Sequence, residues 1–105
     1  MQMKDKELLL ESINESLQYT KNQKAILSYF LAIEIEGIAT SSPKDLLEKF
    51  KVSSQTIWSS LNRLEDDNLI KRLTPKRAHF CKFQLNHDAL NSLILTSQKR
   101  KNYKI

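Results

Sequence analysis

At 105 residues, 40% of them hydrophobic, with one Gly and one Cys, the chain has room for one compact domain with a modest core and excludes both an intrachain disulfide and the glycine-rich loops that cradle phosphates or dinucleotides. Its net charge of +5 is unevenly placed: residues 1–70 carry eight Lys/Arg against eleven Asp/Glu, and residues 71–105 carry nine against one. A basic C-terminal third (+8) on a mildly acidic body (−3) suits a polyanionic partner touched mainly by that third, although a solvated lysine-rich face accounts for it equally well.

Residues 5–19 are expected to form an amphipathic helix, with Leu9, Ile13 and Leu17 at i, i+4, i+8 and Leu10 beside them. A second helix is expected from about Lys21 to Glu36. Its apolar stripe is Ala25, Ile26, Tyr29, Phe30 and Ile33, and Gly37 is its stop. Ile38-Ala39-Thr40 is short and partly β-branched, the pattern of a small strand. Ser42 suits the N-cap of a third, short helix, and Pro43 suits its first turn, where a missing N–H costs nothing. That helix turns Leu46, Leu47 and Phe50 inward and ends near Lys51.

Val52 to Gln55 is a turn into a fourth helix, with Ser53 as N-cap and Ile57, Leu61 and Leu64 on its inner face. Asn68 suits a left-handed cap at its end. Leu69 to Leu73 and His79 to Leu85 are expected to pair as a hairpin. In the second of these, Cys81, Phe83 and Leu85 alternate with Phe80, Lys82 and Gln84, which predicts one buried face. The turn between them, 74–78, carries Lys76 and Arg77 at its tip. Asn86 or His87 can cap a last helix containing Ala89, Leu90, Leu93 and Ile94, and the chain ends in a basic tail.

The stretch Ser42 to Leu85 resembles the winged helix-turn-helix superfamily of bacterial DNA-binding regulators. Pro43-Lys44-Asp45-Leu46-Leu47-Glu48-Lys49-Phe50 resembles the first helix of its motif. Val52-Ser53-Ser54-Gln55-Thr56-Ile57-Trp58-Ser59-Ser60-Leu61-Asn62-Arg63-Leu64 resembles its recognition helix, and Glu65 to Ile70 the exit into the wing. The resemblance implies a mainly α fold with a small β-hairpin wing and extra N- and C-terminal helices. The whole chain, 1–105, is then one domain: an N-terminal helix at 5–19, the helix-turn-helix at 42–64, the wing at 69–85, and a C-terminal helix with its basic tail at 87–105. It also implies double-stranded DNA as partner, in a transcriptional regulator or in a plasmid or phage centromere-binding partition protein. Some winged helices bind proteins instead, and for this chain that partner is expected to be acidic.

With Ile57, Leu61 and Leu64 inward, a helical wheel turns Gln55, Ser59, Asn62 and Asp66 outward, flanked by Thr56 and Arg63. Gln and Asn bond adenine edges in pairs, Arg bonds guanine, and Ser or Thr bonds base or phosphate, so Gln55, Thr56, Ser59, Asn62 and Arg63 are the candidate base readers. An ordinary polar surface is the competing explanation. The face lacks Lys and Glu over its first two turns, which favours the groove. Ser54, Lys71, Arg72, Lys76, Arg77 and Lys82 are the candidate backbone and wing contacts, with Arg77 suited to a narrow minor groove. Charge protection of an edge strand is the alternative for these cations.

Two apolar stripes, Leu9-Ile13-Leu17 and Leu90-Leu93-Ile94, leave two readings open: the two helices pack on each other and on their own domain in a monomer, or a second chain buries what one small core does not cover, which is the reading favoured. With Trp58, at the edge of the inward face, they are the candidate interface of a homodimer. His79 and Cys81 are i, i+2 on a strand, and two ligands do not make a zinc site. No nucleophile-base pair or carboxylate pair stands out, so no catalysis, metal or cofactor is expected. The chain shows no leader with a small-residue cleavage site, and its longest apolar run, Tyr29 to Ile33, is too short to span a bilayer. A cytoplasmic protein is expected.

Overall fold

The computed structural model describes residues 3–16, 18–75 and 79–93, with side chains from Glu7 onward. Helix α1 (Met3–Glu15) ends before the expected Tyr19: Ser16 N–H bonds the Ile13 carbonyl at 3.1 Å, and the chain bends so that Tyr19 is buried. Thr20 then starts helix α2 (Lys21–Ile33). Its hydroxyl accepts from Gln23 N–H at 3.2 Å, and the Gln23 side chain accepts from Thr20 N–H at 3.0 Å. This reciprocal capping box satisfies two N–H groups that have no partner inside the helix.

Helix α2 stops three residues before the expected Glu36, and Gly37 does not cap it. Ile35 and Ile38 instead exchange backbone hydrogen bonds of 2.9 and 3.1 Å, and Glu36 and Gly37 between them have φ of 52° and 83°. Two central residues at positive φ make a tight hairpin turn whose twist matches the flanking strands. The Glu34 carboxylate accepts from Gly37 N–H and closes it. The buried face of α2 is Ile26, Leu27, Phe30 and Leu31, rotated from the expected stripe, so that Tyr29 and Ile33 are only half-buried.

Strand β1 (Ile38–Ser41) leads to helix α3 (Pro43–Phe50), capped as expected by the Ser42 hydroxyl on Asp45 N–H, with Pro43 in its first turn. Lys51 closes α3 in the left-handed conformation (φ 54°), its N–H on the Leu47 carbonyl. Helix α4 (Ser54–Asp66), strand β2 (Ile70–Arg72) and strand β3 (Cys81–Leu85) follow, and residues 87–93 are helical. Asn86 caps that last helix, its side chain accepting from Ala89 N–H.

The three strands form one antiparallel sheet in the order β1-β3-β2. The expected hairpin of β2 with β3 is present, Ile70 opposite Leu85 and Arg72 opposite Phe83. β1 adds to the far side of β3, Ile38 opposite Gln84 and Ser41 opposite Cys81. Cys81, Phe83 and Leu85 turn inward as the alternation predicts. Phe83 stacks on Phe30 of α2, ring centroids 4.9 Å apart. The architecture is mainly helical with a small sheet, as the resemblance implies, although the sheet has three strands where a two-stranded hairpin was expected.

The burial pattern corrects the expected dimer surface. Leu9, Ile13 and Leu90 have no exposed area and Leu93 is 8% exposed, all within one chain and one continuous core. The described parts of both stripes are therefore buried in the chain's own core. Leu17 and Ile94 lie outside the described residues. Trp58 is half-buried against the same core.

Leu9→Ala is expected to lower the unfolding free energy by about 2–5 kcal/mol, the usual result of truncating a buried leucine. Its sedimentation coefficient is expected to match the wild type. Dissociation of an oligomer with no loss in urea unfolding would show that Leu9 serves an interface.

Candidate nucleic-acid interface

Helix α4 exists because its inner stripe must be buried. Ile57, Leu61 and Leu64 are at most 3% exposed and pack in the core with α2. Both ends are fixed locally. The Ser53 hydroxyl accepts from Thr56 N–H at 3.1 Å. At the other end, Leu69 N–H bonds the Leu64 carbonyl and Asn68 N–H the Glu65 carbonyl, with Asn68 at φ 61°. That pair of bonds around one left-handed residue is the Schellman ending, and Asn tolerates the conformation that Gly more often supplies.

With the stripe buried, the opposite face is forced outward. Gln55, Ser59 and Asn62 are exposed along it, and Ser54 is exposed at the helix start. Together with Trp58, Arg63 and Asp66 they line one shallow depression. The N-terminal end of α4 offers backbone N–H groups and the positive end of the helix dipole, both suited to a phosphate. The C-terminal end carries Glu65, Asp66 and Asp67. Acids there repel a polyanion, so the geometry favours an approach through the first turns of the helix.

Two candidate readers are placed differently from expectation. Thr56 is half-buried, and its hydroxyl lies 2.9 Å from that of Ser53, so it belongs to the cap and not to the row of readers. Arg63 turns toward the body: its Nε donates to the Asp67 carboxylate at 3.0 Å, and its guanidinium lies 5.8 Å from the Tyr19 ring centre. The Tyr19 hydroxyl donates to the same Asp67 oxygen at 2.9 Å.

This triad shows in the protonation of its members. Burial, then the hydrogen bond to Asp67, pushes the Tyr19 phenol up to about 12. The hydrogen bonds from Tyr19 and Arg63 hold the Asp67 carboxyl below its usual range. The stabilisation from Asp67 is therefore present at neutral pH and lost as pH falls below the ordinary carboxylate range. That from Tyr19 is full below its ordinary value of 10.0 and lost as pH rises toward 12.

The wing cations divide between two faces. Lys82 and Gln84 stand on the exposed side of β3, and Lys71, opposite Gln84, shares that outer face. Arg72, opposite Phe83, is on the inner parity, with its guanidinium 5.9 Å from the Trp58 ring centre on α4. Such a separation is within cation–π range. Arg72 is thus the one expected wing cation, among the described residues, that the fold brings beside α4. Its backbone N–H points to the Glu65 carboxylate at 3.4 Å. The ladder continues outward through Leu73 N–H to the Lys82 carbonyl (2.8 Å) and Lys82 N–H to the Thr74 hydroxyl (3.1 Å). Lys76 and Arg77 lie outside the described residues.

Among the described residues no three His, Cys, Asp or Glu side chains are grouped to hold a metal, and no helix is long and apolar enough to cross a membrane. Cys81 is buried and His79 exposed. Sequence reasoning missed Tyr19 and Asp67 as partners of α4. The i, i+4 spacing of Arg63 and Asp67 signals a helical ion pair, whereas Tyr19, 48 residues before Asp67, gives no local signal.

Residues 34–71 match the model of a family described as winged helix-turn-helix DNA-binding, a stretch that runs from the end of α2 through α4 into β2. No curated protein matches the sequence. Among solved structures, the chain is similar to the YusO protein of Bacillus subtilis, with 19% identity and a TM-score of 0.56 over 96% of this chain and 70% of that one. It is also similar to a protein of the archaeon Sulfolobus tokodaii, with 19% identity and a TM-score of 0.58 over 96% and 94%. A mutant MarR of E. coli complexed with operator DNA matches at 18% identity and a TM-score of 0.56, over 91% of this chain and 64% of that one. The chain thus spans less than two thirds of the length of MarR.

Ser53→Ala is expected to remove the α4 cap and lower stability by about 1 kcal/mol. Chemical denaturation checks this, and an unchanged midpoint would mean that solvent replaces the serine hydroxyl.

Proposed function

We propose that this chain, a winged helix-turn-helix, binds double-stranded DNA as a transcriptional regulator, with the first turns of α4 in the major groove. The observation that carries the reading is the exposed row Gln55, Ser59 and Asn62, neutral hydrogen-bonding side chains held outward by a helix whose other face is core. In helix-turn-helix proteins the N-terminal residues of the second helix contact base edges. Gln55 and Asn62 are the proposed readers of adenine, Ser59 of base or phosphate, and Ser54 and the α4 N-terminus of phosphate.

Arg72, beside Trp58, and the wing-tip residues Lys76 and Arg77 are the proposed backbone contacts. Lys71 and Lys82, on the outer face of the sheet, add to the positive field more than to direct binding. The likeness to MarR, solved in complex with operator DNA, supports the regulator, and the partition role draws no support from it. A homodimer reading two half-sites about 34–36 Å apart is part of the proposal. Its motive is the short reading row, too small for a tight single site, and its interface is not formed by Leu9, Ile13, Leu90 or Leu93. The protein is proposed to act in the cytoplasm.

A second reading, docking of an acidic protein, draws support from the outer wing, where exposed Leu73 and Phe80 stand beside Lys71 and Lys82.

Selection of bound duplexes from a random pool, followed by gel shift, tests the proposal. Gln55→Ala or Asn62→Ala is expected to cost about 1–3 kcal/mol on the selected site and little on random DNA. Equal losses on both would mean that α4 is not inserted. Substituting Lys76 and Arg77 by Ala is expected to weaken binding to all duplexes alike and to flatten the salt slope by about one unit for each phosphate left without its cation. An unchanged slope removes the wing tip from the interface.

A further inference from the structure

We infer that Tyr19 and Asp67 form a latch that withholds Arg63 from DNA, leaving α4 to read bases with neutral side chains. The inference rests on the DNA-binding reading above and assigns a specificity-determining role to residues outside the reading row. Arg63 directly follows Asn62 and lines the same depression as Gln55 and Ser59, so it stands at the edge of the proposed interface. Its guanidinium is nonetheless committed elsewhere. Nε bonds Asp67 Oδ2 at 3.0 Å, and the Tyr19 hydroxyl bonds the same oxygen at 2.9 Å.

An isolated i, i+4 pair on an exposed helix is weak, and a phosphate competes with it readily. Here the pair has a third member. Tyr19 is buried at the junction of α1 and α2, and it fixes the Asp67 carboxylate from outside the helix. Its ring also lies under the guanidinium. Arg63 is therefore held by an anchored carboxylate and an aromatic face together, although its side chain is 52% exposed. The raised Tyr19 phenol and lowered Asp67 carboxyl follow from the same bonds and keep the latch closed across the neutral range. An unlatched Arg63 adds a cation to the DNA side of α4, which raises affinity for every duplex alike and dilutes discrimination. Tyr19 acts through Asp67, as a positioning residue.

The test compares the salt dependence of binding to random-sequence duplex for wild type, Asp67→Asn, and Asp67→Asn with Arg63→Ala. Asp67→Asn is expected to steepen the log–log salt slope by about one unit and to narrow the ratio of specific to random affinity. The double variant is expected to return to the wild-type slope. Because the double variant keeps the wild-type net charge, Arg63→Ala alone is the deciding control: a latched Arg63 leaves its slope at the wild-type value, whereas a flattened slope would show Arg63 already acting on DNA and overturn the inference. Tyr19→Phe, which keeps the ring and loses the hydroxyl, is expected to steepen the slope by less. Ultraviolet titration reads the latch without DNA: the Tyr19 transition is expected to fall below about 12 in Asp67→Asn and to stay above 10.0, because burial, the larger cause of its rise, remains. A wild-type protein that binds no duplex at low salt sinks the DNA reading and the latch's role with it. A wild type that binds, with an Asp67→Asn slope unchanged, sinks the latch alone.

Discussion

The rings of Phe30 and Phe83 stack 4.9 Å apart at an interplanar angle of 20°, both fully buried, and through them α2 is seated on the central strand of the sheet. Offset stacking of two large rings removes a great deal of apolar surface from water at one place. Because β3 is the middle strand, that single seat locates β1 on one side and β2 on the other. Because α2 also packs on α4, it sets which face of α4 is inward. The outward row of Gln55, Ser59 and Asn62 is a consequence: it is what remains of α4 after Ile57, Leu61 and Leu64 have been buried.

Electrostatics then divides α4 along its length. Ser53 and Ser54 leave the positive end of the helix dipole uncrowded, whereas Glu65, Asp66 and Asp67 gather at the other end. Those acids are unequal. Glu65 meets the Arg72 backbone, Asp67 joins Arg63 and Tyr19, and Asp66 is exposed beside Asn62 on the outward face of α4. Among the described residues, the wing cations are similarly sorted by the sheet's pleat, which sends Lys71 and Lys82 to one face and Arg72 to the other. The described part of a cluster that is uniform in sequence thus becomes one cation beside α4 and two facing solvent.

Much of this organisation is legible in the residues because it is local. Ser42-Pro43, Ser53 and Asn68 mark helix ends through bonds that span at most five residues, and each is used as the sequence suggests. The period of Ile57, Leu61 and Leu64, and the alternation of Cys81, Phe83 and Leu85, define buried faces by the geometry of one helix and one strand. The capping box of Thr20 and Gln23 is equally local, yet the apolar periodicity that locates α2 does not point to it. Gly37 resembles a helix stop because a glycine after an apolar stripe fits a cap and a hairpin turn alike.

By itself, the sequence determined the order of helices and the polar character of the outward face of α4, which depend on neighbours within a few residues, and the wing's main pairing, which joins two strands consecutive along the chain. Only the tertiary structure decided that β1 completes the sheet, that Leu9, Ile13, Leu90 and Leu93 are core and not interface, and that Tyr19 joins the pair of Arg63 and Asp67. The physical reason is the same in each case. An apolar stripe or a charged side chain specifies that it needs a partner, and its chemistry does not say which one. Ala39 meets Phe83, and Tyr19 meets Asp67, across more than forty residues of chain, a pairing settled by how the helices pack and not by any spacing along the sequence.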